Sequence, residues 1–308
     1  MEKVIVICGP TASGKTGLSI KLAQKMQGEV ISCDSMQIYK HMNIGTAKPT
    51  KEEMKDIKHH LIDFVEPSKR YSVADFRKDA LDAIDAVLKQ NKVPIIVGGT
   101  GLYVNCLTQN IQYPTLETNL EYRKLLEQRV KKEGLEVLYE EAKKIDEEAI
   151  KNISVNDQKR IMRVLEIYHQ TGKTKTELEI ESRREPPMYQ YIVFAINMDR
   201  EKLYERINKR VDIMLEQGLI EEVKELLEKY EEFPTSMQGL GYKEVASYLN
   251  GELTKEEMIE KLKMETRRYA KRQLTWFRKD PNIIWLDGLK SPEENIKIIL
   301  EHYNKVVC

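Results

Sequence analysis

The chain has 308 residues, with 50 Lys plus Arg set against 50 Asp plus Glu, and it is 41% hydrophobic and 32% charged. At about 150 residues per domain this is one large domain or two, with ample apolar material for a core, and the composition excludes a disordered chain. No apolar run approaches the roughly 18 residues of a membrane helix, and the N-terminus enters Val4-Ile5-Val6-Ile7 without the basic region or cleavage site of a secretion signal.

The first element is a buried strand, Val4–Cys8. It runs into Gly9-Pro10-Thr11-Ala12-Ser13-Gly14-Lys15-Thr16, a complete G-x-x-x-x-G-K-[ST] phosphate loop. A helix with Leu18 and Leu22 on its inner face follows. Glycines let the loop turn its N–H groups inward around phosphate oxygens, the helix N-terminus adds partial positive charge, Lys15 can neutralise phosphate, and Thr16 can ligate magnesium. Such loops ordinarily bind ATP, so the motif alone suggests a P-loop small-molecule or nucleotide kinase.

A second strand, Val30–Cys33, ends in Asp34. Strand ends of a parallel sheet share one edge, which places Asp34 near the phosphates as a general base, a magnesium ligand through water, or a helix cap. Gln37 has the paired donor and acceptor that can read a base edge. Phe76, Ala80, Ile84 and Val87 recur at helical spacing before a third strand, Pro94–Val97. That strand ends in Gly98-Gly99-Thr100-Gly101, where a kinase would carry a magnesium-binding acid. The Gly-rich turn leaves backbone amides and the Thr100 hydroxyl at the ligand edge.

The strand–helix alternation stops at Tyr113-Pro114. From Asn119 to about Arg184 the signals are helical. Ile161, Val164, Leu165 and Tyr168 form an apolar stripe, Ser154 and Asp157 have capping-box spacing, and Gly172 supplies a stop. Pro186-Pro187 closes this insertion. A fourth strand, Tyr191–Ile196, a helical stretch Arg200 to Glu232 broken at Gly218, a helix Lys255 to Arg278 and a fifth strand, Ile283–Leu286, complete the chain. The expected fold is α/β: a P-loop NTPase-like parallel sheet flanked by helices, with an inserted all-helical subdomain. Residues 1–113 form the first part of the core, 114–187 the insertion and 188–308 the core continuation with a basic C-terminal helix.

Arg206 and Arg210 lie four apart beside the stripe Leu203, Ile207, Val211, Met214. They are either a diphosphate clamp or a solvated helix face, and spacing alone favours the latter. Thr266 to Lys279 holds six basic residues and no acid, which favours RNA for the basic side chains. Tyr269, Leu274 and Phe277 have the spacing of a buried stripe. Cys8, Cys33, Cys106 and Cys308 form no C-x-x-C pair, which implies reduced thiols in a cytoplasmic protein.

The strings GPTASGKT, DSMQIY, NIGTAKP (Asn43–Pro49), HHLIDFVEP (His59–Pro67), VGGTGLY and TRRYAKRQLTWFR resemble, in order and over nearly the whole chain, the bacterial tRNA dimethylallyltransferases of the IPP transferase (tRNA isopentenyltransferase) family. The resemblance implies transfer of a dimethylallyl group from dimethylallyl diphosphate to the exocyclic amine of the tRNA adenosine immediately 3′ of the anticodon, with Mg2+ and release of diphosphate. It implies a cytoplasmic monomer whose partner is the anticodon stem-loop. Diphosphate sits in Gly9 to Thr16 with Arg210 and, less clearly matched, Arg206. Asp34 is the base, and Thr100 touches the adenosine near the reacting centre. Ser35, Met36, Gln37, Arg123, Gln158, Lys159, Arg160, Ile161, Met162, Gly241, Lys271 and Arg272 face tRNA. For the polar residues of Asp157–Arg163, a solvated helix face is the equal alternative. His59 and His60 lie in a family motif, and a structural role suits them better than catalysis.

Overall fold

The computed structural model describes residues 1–112, 119–151, 153–183 and 185–305. Six parallel strands, β1 Lys3–Cys8, β2 Gly28–Ser32, β3 His59–His60, β4 Val93–Gly98, β5 Gln190–Asn197 and β6 Ile284–Asp287, form one sheet in the order β3-β2-β4-β1-β5-β6. Central β1 pairs with β4 (Cys8 opposite Gly98) and with β5 (Cys8 opposite Ala195), and Ser32 of β2 lies opposite Val97. These registers bring the residues that follow β1, β2 and β4 to one edge of the sheet.

The central strands β1 and β4 are apolar almost throughout because both sheet faces are covered there. Ile5, Ile7, Val30, Ile95 and Val97 pack with Leu18 and Leu22 of the helix Lys15–Met26 and with Ile296 and Ile299 of the helix Pro292–Lys305. The alternate residues Val4, Val6, Ile31 and Ile96 are equally buried. The helix Val73–Leu88 starts with a reciprocal Ser72–Asp75 capping box and buries Phe76, Ala80, Ile84 and Val87, the stripe expected from the sequence. Phe76 stacks on Tyr103 at 4.0 Å.

The strand β3 was not expected. It is two residues long and exists through pairing with Val30 and Ile31. A buried carboxylate fastens it: Glu29 accepts hydrogen bonds from Lys92 Nζ at 2.6 Å and lies 2.6 Å from His60 Nε2. Burial pushes the Glu29 carboxyl up, but the bonds to Lys92 and His60 outweigh this and hold it below its usual range. His60 is thus a structural partner of Glu29. His59 Nδ1 lies 2.8 Å from the Ile57 carbonyl.

A second core joins the segment after β2 to four helices. Ile38, Tyr39 and Met42 pack with Val211 of Arg200–Glu216, with Leu219, Val223 and Leu226 of Leu219–Lys229, with Tyr242 and Val245 of Tyr242–Leu249, and with Met258 and Leu262 of Lys255–Phe277. The last helix begins with a Thr254–Glu257 capping box.

The chain divides into two compact units, Met1–Thr108 with Met188–Cys308, and Gln109–Pro187. The turn Tyr113-Pro114 read from the sequence as the boundary lies outside the described residues, as do Arg184 and Cys308. Every element described in the second unit is helical, and its core is Leu126, Leu138, Ala142, Ile150, Ile161, Met162, Val164 and Leu165. Two expectations need correction there. The helix Gln158–Thr171 is capped by Asp157 itself, which accepts from the Arg160 N–H, whereas Ser154 Oγ accepts from Asn156. Asp157 sits at the N-cap, so it cannot also serve as the third helical residue of a box. Tyr168 is exposed, and Ile167 is buried instead. Gly172 ends the helix in the left-handed region as expected.

Among the described residues no helix is long and apolar enough to cross a membrane, and Cys8, Cys33 and Cys106 are buried free thiols.

Candidate active site

The phosphate loop leaves β1 through Gly9 (φ 137°), passes Ala12 (φ 62°) and enters its helix at Gly14 (φ 93°). Three positive φ values in six residues curl the backbone into a cradle. Ala12 holds a conformation that costs a non-glycine residue about 1 kcal/mol. Ser13 is buried and its hydroxyl donates to the Pro10 carbonyl at 2.8 Å, so it braces the loop. Lys15 Nζ donates to the carbonyls of Gly9 (3.0 Å) and Pro10 (2.6 Å). Thr11, Lys15 and Thr16 line a cavity of about 360 Å³ at the sheet edge.

The cavity also receives Arg210 and is therefore electropositive at this end. Burial pushes the Lys15 ammonium down to about 8, and the neighbouring Arg210 charge pushes the same way, against the opposite pull of Asp34. Burial lowers Arg210 too, with Asp34 again opposing. Two desolvated cations facing one cavity favour an anion between them.

Asp34 lines the same cavity. Its Oδ1 accepts the N–H groups of Met36 (2.9 Å) and Gln37 (3.3 Å), so it caps the turn after β2, while Oδ2 takes no part in that turn. The cap reading is therefore correct for one oxygen and leaves the other for chemistry. Thr100 Oγ1 accepts the Ser35 N–H at 3.1 Å, lies 3.4 Å from Ser35 Oγ, and neighbours the Tyr269 hydroxyl. Burial, then the Asp34 charge, push the Tyr269 phenol well above its ordinary value, so it stays protonated. Asp34, Ser35, Thr100 and Tyr269 thus form one polar cluster.

The Gly-rich turn has a steric cause. A Cβ on Gly98 would lie 1.9 Å from the Cys33 carbonyl, and a Cβ on Gly99 would lie 2.1 Å from Gln273 Nε2. The backbone contact at Gly98 requires glycine and excludes a strand-end acid there, whereas a side chain at Gly99 would displace the Gln273 amide.

Several expected residues fall elsewhere. Gln37 lines the cavity, but its amide nitrogen donates to the carbonyls of Thr46 (3.2 Å) and Ala47 (3.1 Å), so it lacks the free donor–acceptor pair for reading a base. Met36 and Gly241 line the cavity, and Glu244 accepts the Gly241 N–H at 2.9 Å. Arg210 and Arg206 part company. Arg206 is exposed and outside the cavity lining, because the inward stripe of its helix is Leu203, Ile207 and Val211 and only Arg210 reaches the site beside it. Arg272 lines the cavity, whereas Lys271 is exposed and does not. Phe277 is buried and Leu274 partly so, as expected, but Tyr269 faces the site.

In the helical unit, Lys159 and Arg160 are exposed and Gln158 half-buried. Ile161 and Met162 are 0% and 3% exposed. They belong to that unit's core and cannot touch RNA without unpacking it. Arg123 pairs through Nε with buried Glu166 at 2.8 Å, so part of its role is to neutralise that carboxylate.

Two contributors escaped the sequence reading. Gln273 accepts the Thr11 N–H at 2.9 Å and donates to the Gly99 carbonyl at 2.9 Å. Its signal was a polar residue within the buried stripe Ala270, Gln273, Phe277. Glu222 accepts the N–H groups of Asn43, Ile44 and Gly45 and the Tyr242 hydroxyl, which fixes the loop across the cavity. It carried no local signal, since a Glu on a charged helix is usual.

The fold and the cavity define a class: an α/β protein of the P-loop type whose phosphate loop shares a cavity with a strand-end carboxylate. The family model described as IPP transferase matches residues 37–280. The chain is 52% identical over 300 residues to the tRNA dimethylallyltransferase of Acetivibrio thermocellus (96% of each chain) and 48% identical over 302 residues to that of Carboxydothermus hydrogenoformans (97% of each). The solved tRNA isopentenylpyrophosphate transferase of Bacillus halodurans is similar, with a TM-score of 0.74 and 42% identity over 99% of this chain and 97% of that one. A eukaryotic dimethylallyltransferase acting on tRNA has a TM-score of 0.82 and 32% identity, covering 100% of this chain and 81% of that one. The chain belongs to the IPP transferase family.

Proposed function

We propose that this chain transfers the dimethylallyl group of dimethylallyl diphosphate to the exocyclic amine of the tRNA adenosine immediately 3′ of the anticodon. The observation that carries the reading is the pairing, within one cavity, of two half-buried, desolvated cations beside a phosphate loop with the Asp34 carboxylate and the Tyr269 phenol, while Thr100 stands behind the lining against Ser35. Lys15, Arg210 and the loop amides hold the diphosphate and take up its charge as the C–O bond breaks, which is electrostatic catalysis. The bonding electrons leave with the diphosphate. The adenine amine attacks the cation-like carbon, a C–N bond forms, and the amine's proton passes to Asp34. The amine becomes strongly acidic on bonding, so an ordinary carboxylate suffices. The adenosine must leave its stacked loop to reach this position.

The donor set suits magnesium. The Thr16 hydroxyl and Asp34 carboxylate share the cavity, and no cluster of three His, Cys, Asp or Glu side chains that could cage a metal occurs among the described residues. Magnesium commonly binds through few protein oxygens together with substrate phosphates, and when bound it adds positive charge to the leaving group. Exposed Lys159 and Arg160 supply anticodon-loop contacts, and Arg272 a contact at the cavity. The buried free thiols Cys8, Cys33 and Cys106 suit a reducing cytoplasm. A kinase is disfavoured, since β4 ends in Gly98, a glycine that sterics require.

The test is incubation with Mg2+, dimethylallyl diphosphate and unmodified tRNA, with AMP as a parallel acceptor, followed by mass spectrometry of the digested RNA. One dimethylallyl group on that adenosine and untouched AMP are expected. Prenylated AMP with unmodified tRNA, or ATP consumption with neither product, would overturn the reading.

A further inference from the structure

The phosphate loop and the acceptor-side turn follow different strands, β1 and β4, yet a single side chain from a distant helix bonds to both. Gln273 is buried at 6% exposure. Its Oε1 accepts the Thr11 N–H and its Nε2 donates to the Gly99 carbonyl, each at 2.9 Å. The two partners fix the amide's orientation, because an N–H can meet only the oxygen and a carbonyl only the NH2. Gly99 has no room for a Cβ against Gln273, and Gly98 has none against the Cys33 carbonyl, one residue before Asp34. Cys33, Gly98-Gly99, Gln273 and Thr11 are therefore stacked in direct succession from the acid to the phosphate loop. One turn earlier on the same helix, Tyr269 lines the cavity beside Thr100.

We infer that Gln273 is a positioning residue that sets the distance between the diphosphate loop and the acceptor turn, so that the carbon bonded to the leaving oxygen meets the amine held near Asp34 and Thr100. The inference rests on the prenyl-transfer reading. Gln273 lines the cavity, but both polar atoms of its amide are engaged by Thr11 and Gly99, through which it acts. A misplacement of about 1 Å between reacting groups costs on the order of a hundredfold in rate. Lys15 and Arg210, which hold the anion, make no bond to it. Its loss should therefore lower kcat and spare diphosphate affinity.

Two variants test this. Gln273→Leu removes both bonds. Its kcat with both substrates saturating should fall on the order of a hundredfold, while calorimetric affinity for inorganic diphosphate stays within about threefold; Tm should also fall, because a buried N–H and carbonyl lose their partner. Gln273→Glu keeps the acceptor but cannot donate to Gly99 when ionised. A protonated carboxyl can, so the ratio of its kcat to that of the unaltered protein should rise as pH falls from 9 to 6. A purely structural role would leave that ratio flat. Amide hydrogen exchange in segments 9–16 and 97–101 provides a readout that needs no activity, and both segments should exchange faster in Gln273→Leu. Unchanged kcat, a flat ratio, or unchanged exchange in both segments would overturn the inference. An unaltered protein that never prenylates tRNA, with exchange still accelerated in both segments of the variant, would instead overturn the activity and retain the tether.

Discussion

Asp34 holds the turn and carries the proposed base, and one substitution separates the two duties. Asn at this position keeps an oxygen for the Met36 and Gln37 amides but cannot take a proton from the amine. Asp34→Asn should leave Tm nearly unchanged and lower kcat by about a hundred- to ten-thousand-fold; a variant that prenylates tRNA at the unaltered rate would remove Asp34 from the chemistry. Lys15 makes the donor site sensitive to pH. Its ammonium, pushed by burial and by Arg210 from 10.5 down to about 8, is charged at pH 7 and largely neutral at pH 9. Bound diphosphate favours the charged form, so at pH 9 binding must draw in a proton, whereas at pH 7 Lys15 already carries it. Affinity should therefore fall as pH rises through about 8. Calorimetry of dimethylallyl diphosphate at pH 9, in buffers of different ionisation enthalpy, should show proton uptake that Lys15→Met abolishes. Uptake of equal size in that variant would assign the proton to another group.

Among elements, those with local causes were legible in the sequence. The five longer strands show as short apolar runs rich in β-branched residues, the phosphate loop is a contiguous motif, and the Phe76–Val87 stripe follows the helical period. The strand β3 was not legible, because its two residues owe their state to Val30, Ile31 and the buried Glu29, all distant in sequence. The site divides in the same way. Lys15, Thr16, Asp34 and Arg210 could be named from motif and resemblance, but Gln273 and Glu222 act by reaching segments more than 170 residues away. The helical unit holds a similar long-range device. Buried Asp146 caps the short helix Glu147–Ile150 through the Ala149 N–H and also accepts the N–H and hydroxyl of Thr176, which begins another helix. Burial pushes its carboxyl up, but the bonds from Thr176 and Ala149 outweigh this and hold it below the usual range. Its stabilisation is therefore present above the ordinary carboxylate pKa of about 4 and is lost as pH falls through the lower, folded value. Asp146→Ala strands three donors and should cost about 2–3 kcal/mol. Faster amide exchange across the helices Leu135–Ile145 and Lys175–Ser182 at neutral pH is the expected sign; an unchanged exchange map would show that the contact is dispensable.

At the scale of the molecule, 50 basic and 50 acidic residues cancel. No long-range field draws in a polyanion, and with a Debye length of about 8 Å at physiological salt only local clusters can act on RNA. This separates two kinds of residue within one helix turn. Lys159 and Arg160 are exposed, with Arg160 held only by a 3.4 Å pair to Asp157, while the adjoining Ile161 and Met162 are core. If the exposed pair meets phosphates of the anticodon loop, replacing both with Ala should weaken binding of an anticodon stem-loop and reduce the slope of log K against log salt by roughly 0.7–0.9 per lost contact. The kcat at saturating tRNA and the affinity for dimethylallyl diphosphate should both hold, because neither residue lines the cavity. Ile161→Ala should act in the opposite manner: it loses about 2–5 kcal/mol of local packing, accelerates exchange within the helical unit and leaves the salt slope alone, since no charge changes. Titration of a labelled stem-loop between 50 and 200 mM salt distinguishes the two. A double variant with an unaltered slope and unaltered affinity would show that these basic side chains are only a solvated helix face.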